Sequence, residues 1–290
     1  MGYHGSMRKV NFLPNIITAF GLSCGLFVIF RVTMMDSLTY EFMRQMTVIL
    51  IIAGVADLLD GAVARAIKAE SEFGVLFDSL SDAVTFGVAP SVLFLKSLPL
   101  ALSTGVFSLF ALAAAMVYTV CGILRLVRFN VKDKLSTVVD PTLKKTFIGV
   151  PIPSAAAAAV APNLLIHSPL FQSWVPFSEE AGVLFVSISM IIIANLMVSR
   201  FRFPSLKSIH FRVPSFNLTF FTTISAILVI YGFLYYLPFL LIGVSWTYVC
   251  LGLTLSIARL IAGRKSRHLQ DFEPTDEEEE EEEEAIKKLE

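Results

Sequence analysis

Apolar residues fill this chain in long blocks, and the polar breaks between them are short. A helix needs roughly 20 apolar residues to cross a hydrocarbon core. Eight blocks reach that length, at about 14–34, 44–67, 75–96, 102–127, 149–167, 181–200, 217–236 and 239–261. The pattern predicts an all-α, polytopic membrane bundle of about eight transmembrane helices. The second and third blocks are the least apolar, and their polar residues recur at helical spacing. Asp57, Asp60, Gly61 and Ala64 follow the i, i+3, i+4, i+7 rule and share one face. Asp78 and Asp82 stand one turn apart on the next helix.

Composition agrees with the pattern. Of 290 residues 55% are hydrophobic, and the mean hydropathy of +0.72 excludes an ordinary soluble domain. The net charge of −1 hides an asymmetry, because twelve of the 24 acids lie in Asp271–Glu290. The unbroken run Glu277–Glu284 repels itself and is expected to be disordered, with no catalytic part. Cys24, Cys121 and Cys250 are far apart and form no CxxC pair, so buried apolar roles suit them better than zinc or a disulfide. His4, His167, His210 and His268 are scattered and suggest no site. Nothing in the charge pattern asks for a nucleic-acid partner.

The basic residues orient the spans. With both termini in the cytosol, seventeen lysines and arginines fall in cytosolic segments, among them Arg65, Lys68, Arg125, Arg128 and the cluster from Lys132 to Lys145. Only three, Arg31, Arg44 and Lys96, fall outside. The positive-inside rule selects this orientation. It sets the mouth of the acidic stretch on the cytosolic side of what is expected to be a prokaryotic inner membrane.

The expected organisation runs as follows. Residues 1–13 form a cytosolic N-terminal segment, with 1–6 read as a cloning remnant because Met7-Arg8-Lys9 resembles a natural start. Met1-Gly2 with Ser6 also fits a myristoylation pattern. The first block is long enough to be an anchor, and no cleavable signal peptide is evident. Residues 14–200 form a catalytic membrane domain. Residues 201–216 are a basic cytosolic linker, broken by Pro204 and Pro214, that lies on anionic lipid headgroups. Residues 217–262 add two transmembrane helices, and 263–290 are the acidic tail.

Carboxylates at membrane depth persist only when paired, hydrated or metal-bound. Two helices bringing two carboxylates each can build one polyacidic pocket, and the single nearby arginine, Arg65, cannot neutralise four anions. The expected partners are divalent cations, and all-oxygen ligands suit Mg²⁺, Mn²⁺ or Ca²⁺. Helix caps or salt bridges are the plainer alternative. Against it, eight specified positions, each at an ordinary usage of roughly 7%, would coincide by chance about once in a billion starts.

Those eight positions are Asp57, Asp60, Gly61, Ala64, Arg65, Gly74, Asp78 and Asp82. At every one the string resembles the signature of the CDP-alcohol phosphotransferase family. The resemblance implies a membrane enzyme that joins an alcohol to the phosphatidyl group of a CDP-activated lipid, with CMP leaving. It implies that Asp57, Asp60 and Asp78 hold two Mg²⁺ or Mn²⁺ ions, with Ca²⁺ as a non-productive occupant. Asp82 would be the general base and an added metal contact, and Asp78 shares the catalytic centre. The CDP-lipid would lie against Asp57, Gly61, Ala64, Arg65 and Gly74. The family often shows an Asn-x-x-Thr near the nucleotide, which brings in Asn15 and Thr18, otherwise a polar cap at a helix start.

Three further stretches resemble the phosphatidylserine synthase branch of that family. They are Arg125-Leu-Val-Arg128-Phe-Asn130, Gly149-Val-Pro151-Ile-Pro153, and the segment from Phe77 to Pro90. The branch implies CDP-diacylglycerol as donor, L-serine as acceptor, phosphatidylserine and CMP as products, and a homodimer among membrane lipids. Serine contacts would come from Ser79, Ser81, Arg125, Arg128 and Asn130. The arginines are also readable as anchors snorkelling to lipid phosphates. Glycerol 3-phosphate or an inositol acceptor would want arginines too. A cation-coupled transporter is the alternative from another class. It is disfavoured by the lack of an internal repeat or paired broken helices, and by acids that lie near one membrane face.

Overall fold

The structure is a computed structural model that describes residues 12–67, 71–99, 105–139, 149–175, 178–199 and 231–262. For Phe12, Arg65, 132–139 and 257–262 it describes the backbone only. The basic linker, the acidic tail and most of the 217–236 block lie outside the described residues.

The described residues form helices and no strands. In chain order these are α1 (Phe12–Thr33), α2 (Tyr40–Ala66), α3 (Glu72–Asp82), α4 (Ala89–Lys96), α5 (Val106–Val139), α6 (Ile152–Ile166), α7 (Pro169–Trp174), α8 (Glu179–Val198) and α9 (Leu237–Ala262). Local signals explain their starts. Pro14 stands in the first turn of α1, where its missing N–H costs nothing. Ser71 caps α3 by accepting from the Gly74 N–H at 3.0 Å, and Ser178 caps α8 by accepting from the Ala181 N–H at 3.2 Å.

Among the described residues five helices are long and apolar enough to cross a membrane: Leu13–Thr33, Tyr40–Ala64, Val106–Val131, Glu179–Val198 and Leu237–Ser256. They fall on five of the eight expected blocks. The 149–167 block holds α6, which has 15 residues. The 75–96 block is not one regular helix. Between α3 and α4 the chain makes a π-helical segment, Ala83–Val88, so helix continues from Glu72 to Lys96 with a widened turn in its middle. α5 runs to Val139, three turns past the expected end of its block.

Two apolar clusters hold the bundle. One joins α5, α6 and α8 through Tyr118, Ile152, Met190, Ile193 and Met197. The other joins α1, α2, α4 and α6 through Val28, Met43, Leu93 and Leu164. α6 is the shared wall, and its buried alanines 155, 156, 158, 159 and 161 let neighbouring backbones come close. Small residues serve helix packing in membranes in this way, since lipid gives no hydrophobic drive between helices. α9 docks on α6, where the Trp246 indole N–H donates to the Ala158 carbonyl at 3.1 Å. Large apolar side chains such as Phe20, Phe30, Leu109 and Met116 are exposed, as a lipid-facing surface requires. Cys250 is exposed too, contrary to its expected burial, because it falls on the outer face of α9. Cys24 and Cys121 are half-buried against the first cluster.

Candidate functional site

α1, α2 and the α3–α4 helix converge on four aspartates. Asp57 and Asp60 come from one face of α2, and Asp78 and Asp82 from one face of α3. One carboxylate oxygen from each of Asp57, Asp60 and Asp78 lies within 4.8 Å of the other two. Asp82 joins them by a side-chain contact with Asp57. The four line a cavity of about 190 Å³, counting the part open to solvent. Asp60 lies six residues before the end of α2 and Asp78 six residues after the start of α3. At 1.5 Å per residue the cluster sits about 9 Å inside the bundle from the α2–α3 connection.

α1 supplies the polar wall. The Thr18 hydroxyl lies 2.7 Å from Asp60 Oδ2 and 3.1 Å from the Pro14 carbonyl. Asp60 itself is only 6% exposed, and a polar group buried so deeply needs hydrogen-bond partners. The buried Ser81 hydroxyl donates back to the Thr18 carbonyl at 3.4 Å, tying α3 to α1. One turn on, α1 and the π segment nearly touch: a Cβ built on Gly25 would stand 2.8 Å from Thr85 Cα, so only glycine fits there. Asn15 Oδ1 lies beside Gly74, where an added Cβ would be 3.2 Å away. Gly61 and Ala64 are half-buried on the Asp57–Asp60 face, and Arg65 follows in α2 with its side chain outside the described set.

The expected acceptor residues divide. Arg125 points at the cluster and interacts electrostatically with Asp57 and Asp82. Its Nε is buried and has no hydrogen-bond partner. Arg128 is exposed and donates to the Val198 carbonyl at 3.1 Å, at the end of α8. Ser79 and Asn130 bond to each other, with the Asn130 amide donating to Ser79 Oγ at 2.9 Å, and so join α3 to α5.

Sequence reasoning missed five residues here. Gly21, Ala53, Thr85 and Phe86 line the same cavity. Three carried a usable signal: Gly21 follows Thr18 by three, Thr85 follows Asp82 by three, and Ala53 precedes Asp57 by four. The fifth is Tyr248 of α9, which interacts electrostatically with Arg125 and carried no signal in sequence.

Among the described residues the donor set is all oxygen, crowded and short of cations. Burying one ion costs several kcal/mol even after relaxation, and one arginine cannot balance this cluster. Asp57, Asp60 and Asp78 therefore fit a divalent metal of the Mg²⁺, Mn²⁺ or Ca²⁺ type.

The family model for CDP-alcohol phosphatidyltransferases matches residues 11–199, which contain all four aspartates. A Helicobacter pylori CDP-diacylglycerol–serine O-phosphatidyltransferase is 33% identical over 206 residues, covering 71% of this chain and 77% of its own. The Bacillus subtilis protein of that name is 30% identical over 200 residues, covering 68% and 93%. That of Methanocaldococcus jannaschii is 31% identical over 199 residues, covering 69% and 77%.

Proposed function

The chain belongs to the CDP-alcohol phosphatidyltransferase family, and from that premise we propose that it moves the phosphatidyl group of CDP-diacylglycerol onto the hydroxyl of L-serine. The products are phosphatidylserine and CMP. The observation that carries this reading is the three-carboxylate cluster of Asp57, Asp60 and Asp78, about 9 Å inside the bundle from the α2–α3 connection.

Asp57, Asp60 and Asp78 would hold two divalent cations, Mg²⁺ or Mn²⁺, which when bound would neutralise the diphosphate and favour attack at phosphorus. Thr18 fixes the Asp60 carboxylate, and Ser81 fixes Thr18. Asn15, Gly61, Ala64 and Gly74 shape the wall for the CDP moiety, and Arg65 is the residue proposed to pair with its phosphates. Asp82 takes the serine hydroxyl proton, and the serine oxygen bonds to the lipid-side phosphorus. The bond from that phosphorus to the bridging oxygen breaks, and CMP leaves with its electron pair. Its position beside Asp57 supports Asp82 as the proton acceptor, because the base must reach the proton that it removes.

Arg125 binds the serine carboxylate. Its buried, unpartnered Nε beside the cluster supports this, since a guanidinium grips carboxylates through two N–H groups. Ser79, Ser81 and Asn130 are the further proposed serine contacts, although Ser79 and Asn130 bond to each other and Ser81 to the Thr18 carbonyl, and Arg128 lies against the end of α8. The active site faces the cytosol of a prokaryotic inner membrane, and the chain works as a homodimer among membrane lipids.

Chelation tests the reading. Full-length protein given CDP-diacylglycerol and serine should lose CMP release in EDTA and regain it with Mg²⁺ or Mn²⁺. Asp57→Asn, Asp60→Asn and Asp78→Asn should weaken metal binding and turnover together. Asp82→Asn should cut turnover by about 10²–10⁴-fold while leaving metal binding nearly intact. Full activity after rigorous chelation would remove the metal-assisted mechanism.

A further inference from the structure

The π segment that follows Asp82 has a cause in the sequence. In a regular α-helix the Phe86 carbonyl would accept from the N–H of residue 90. That residue is Pro90, which has no N–H and whose ring crowds the carbonyl four residues before it. The helix widens instead, and the Ala89 N–H reaches back five residues to the Val84 carbonyl. A widened turn leaves backbone carbonyls that need donors, and within a membrane protein they must come from the protein.

α5 supplies them. The fully buried Tyr118 hydroxyl donates to the Phe86 carbonyl at 2.9 Å. The Thr119 hydroxyl donates to the Gly87 carbonyl at 3.1 Å and lies 2.9 Å from Ser91 Oγ. Two consecutive residues of α5 thus serve two consecutive carbonyls of the widened turn. Phe86 also lines the acidic cavity, so this turn abuts the site.

One extra residue in a turn rotates the preceding helix by about 100° relative to the following one, at 3.6 residues per turn. α4 cannot absorb that rotation, because Ala89, Leu93 and Phe94 are buried in the two apolar clusters. The rotation falls on α3, which carries Asp78 and Asp82. We propose that Pro90 and Tyr118 form the positioning device of this site: Pro90 opens the turn, Tyr118 with Thr119 holds it open, and together they aim Asp78 and Asp82 at Asp57 and Asp60. Tyr118 and Pro90 touch no reacting atom and act through the two aspartates. The inference rests on the reading of the cluster as a metal site only for one of its two tests.

The first test reads helix register without metal. Full-length protein in nanodiscs, with Cys24, Cys121 and Cys250 changed to alanine, carries Ser79→Cys and Asn130→Cys, a pair now in hydrogen-bond contact across α3 and α5. A short bifunctional thiol reagent should cross-link them. Pro90→Ala restores the N–H that closes an α-turn on Phe86, and it should sharply reduce the cross-link. Tyr118→Phe should reduce it too. The second test is Mn²⁺ affinity by EPR titration on the protein with native cysteines, Ser79 and Asn130. Both substitutions should weaken it by about 10–100-fold, the usual cost of losing a support behind metal ligands. Pro90→Ala should do so with the melting temperature unchanged or raised, which a purely structural role would not give. Wild-type cross-linking and wild-type Mn²⁺ affinity in Pro90→Ala would overturn the proposal. If the parent protein bound no Mn²⁺ but Pro90→Ala still abolished the cross-link, the metal reading would fall and the positioning device would stand.

Discussion

Arg125 and Arg128 show what residue-level chemistry decides. Three residues apart on a helix, they sit about 60° apart around its axis, and the spacing predicts a shared face. In the bundle that 60° is enough to separate them. Arg125 turns inward to the aspartates and Tyr248, while Arg128 reaches the end of α8. Substitution should part them further. Arg125→Lys keeps the charge but loses the planar fork. It should raise the serine KM roughly tenfold or more, on the scale of one lost charged hydrogen bond, with little change in the KM for CDP-diacylglycerol. Arg128→Lys should leave the serine KM within about twofold, because the ammonium can still donate to a carbonyl. Steady-state kinetics with each substrate varied in turn checks both. A rise in the CDP-lipid KM alone would make Arg125 a phosphate contact. The aspartates were legible because polar residues at helical spacing stand out in apolar sequence, whereas Asn15 and Thr18 came in only through the family resemblance. The Ser79–Asn130 bond was not, since both residues looked equally available to a substrate and only their separation across α3 and α5 shows them joined.

At the scale of elements, the apolar blocks located α1, α2, α5, α8 and α9, because span length is set by the bilayer and not by the fold. Block length could not report how a span is built inside. The 75–96 block contains α3, a π segment and α4, and its only outward sign was Pro90. The glycines carried hidden meaning of the same kind. Gly25 lies in an unremarkable part of α1, yet its backbone packs directly against Thr85. Gly149, at the entrance to α6, has φ of 79°, and a Cβ there would crowd the Met197 carbonyl. The left-handed backbone explains why glycine stands at this entrance to α6. Neither close approach can be inferred before the partner helix is known.

At the scale of the whole molecule, the charge pattern predicts an orientation. Seventeen basic residues are assigned to one side and three to the other. With the native cysteines removed, a cysteine at Thr137 or Ser208 should be labelled only from the cytosolic side, and one at Ser178 only from outside. Labelling of Thr137 and Ser178 from the same side would mean a wrong span count between them. α9 extends the molecule beyond the matched 11–199 region, yet it docks on α6 through Trp246 and brings Tyr248 to Arg125. That helix carried no motif, so its place beside the site emerged only from packing. The central claim is that this acidic cleft transfers a phosphatidyl group to serine. The most direct measurement gives full-length protein in nanodiscs CDP-diacylglycerol and Mg²⁺ or Mn²⁺, with L-serine, glycerol 3-phosphate and inositol offered in parallel, and follows CMP release and labelled lipid. Serine alone should support rapid CMP release, with phosphatidylserine formed in equal amount. CMP release driven by glycerol 3-phosphate or inositol and not by serine would contradict the account.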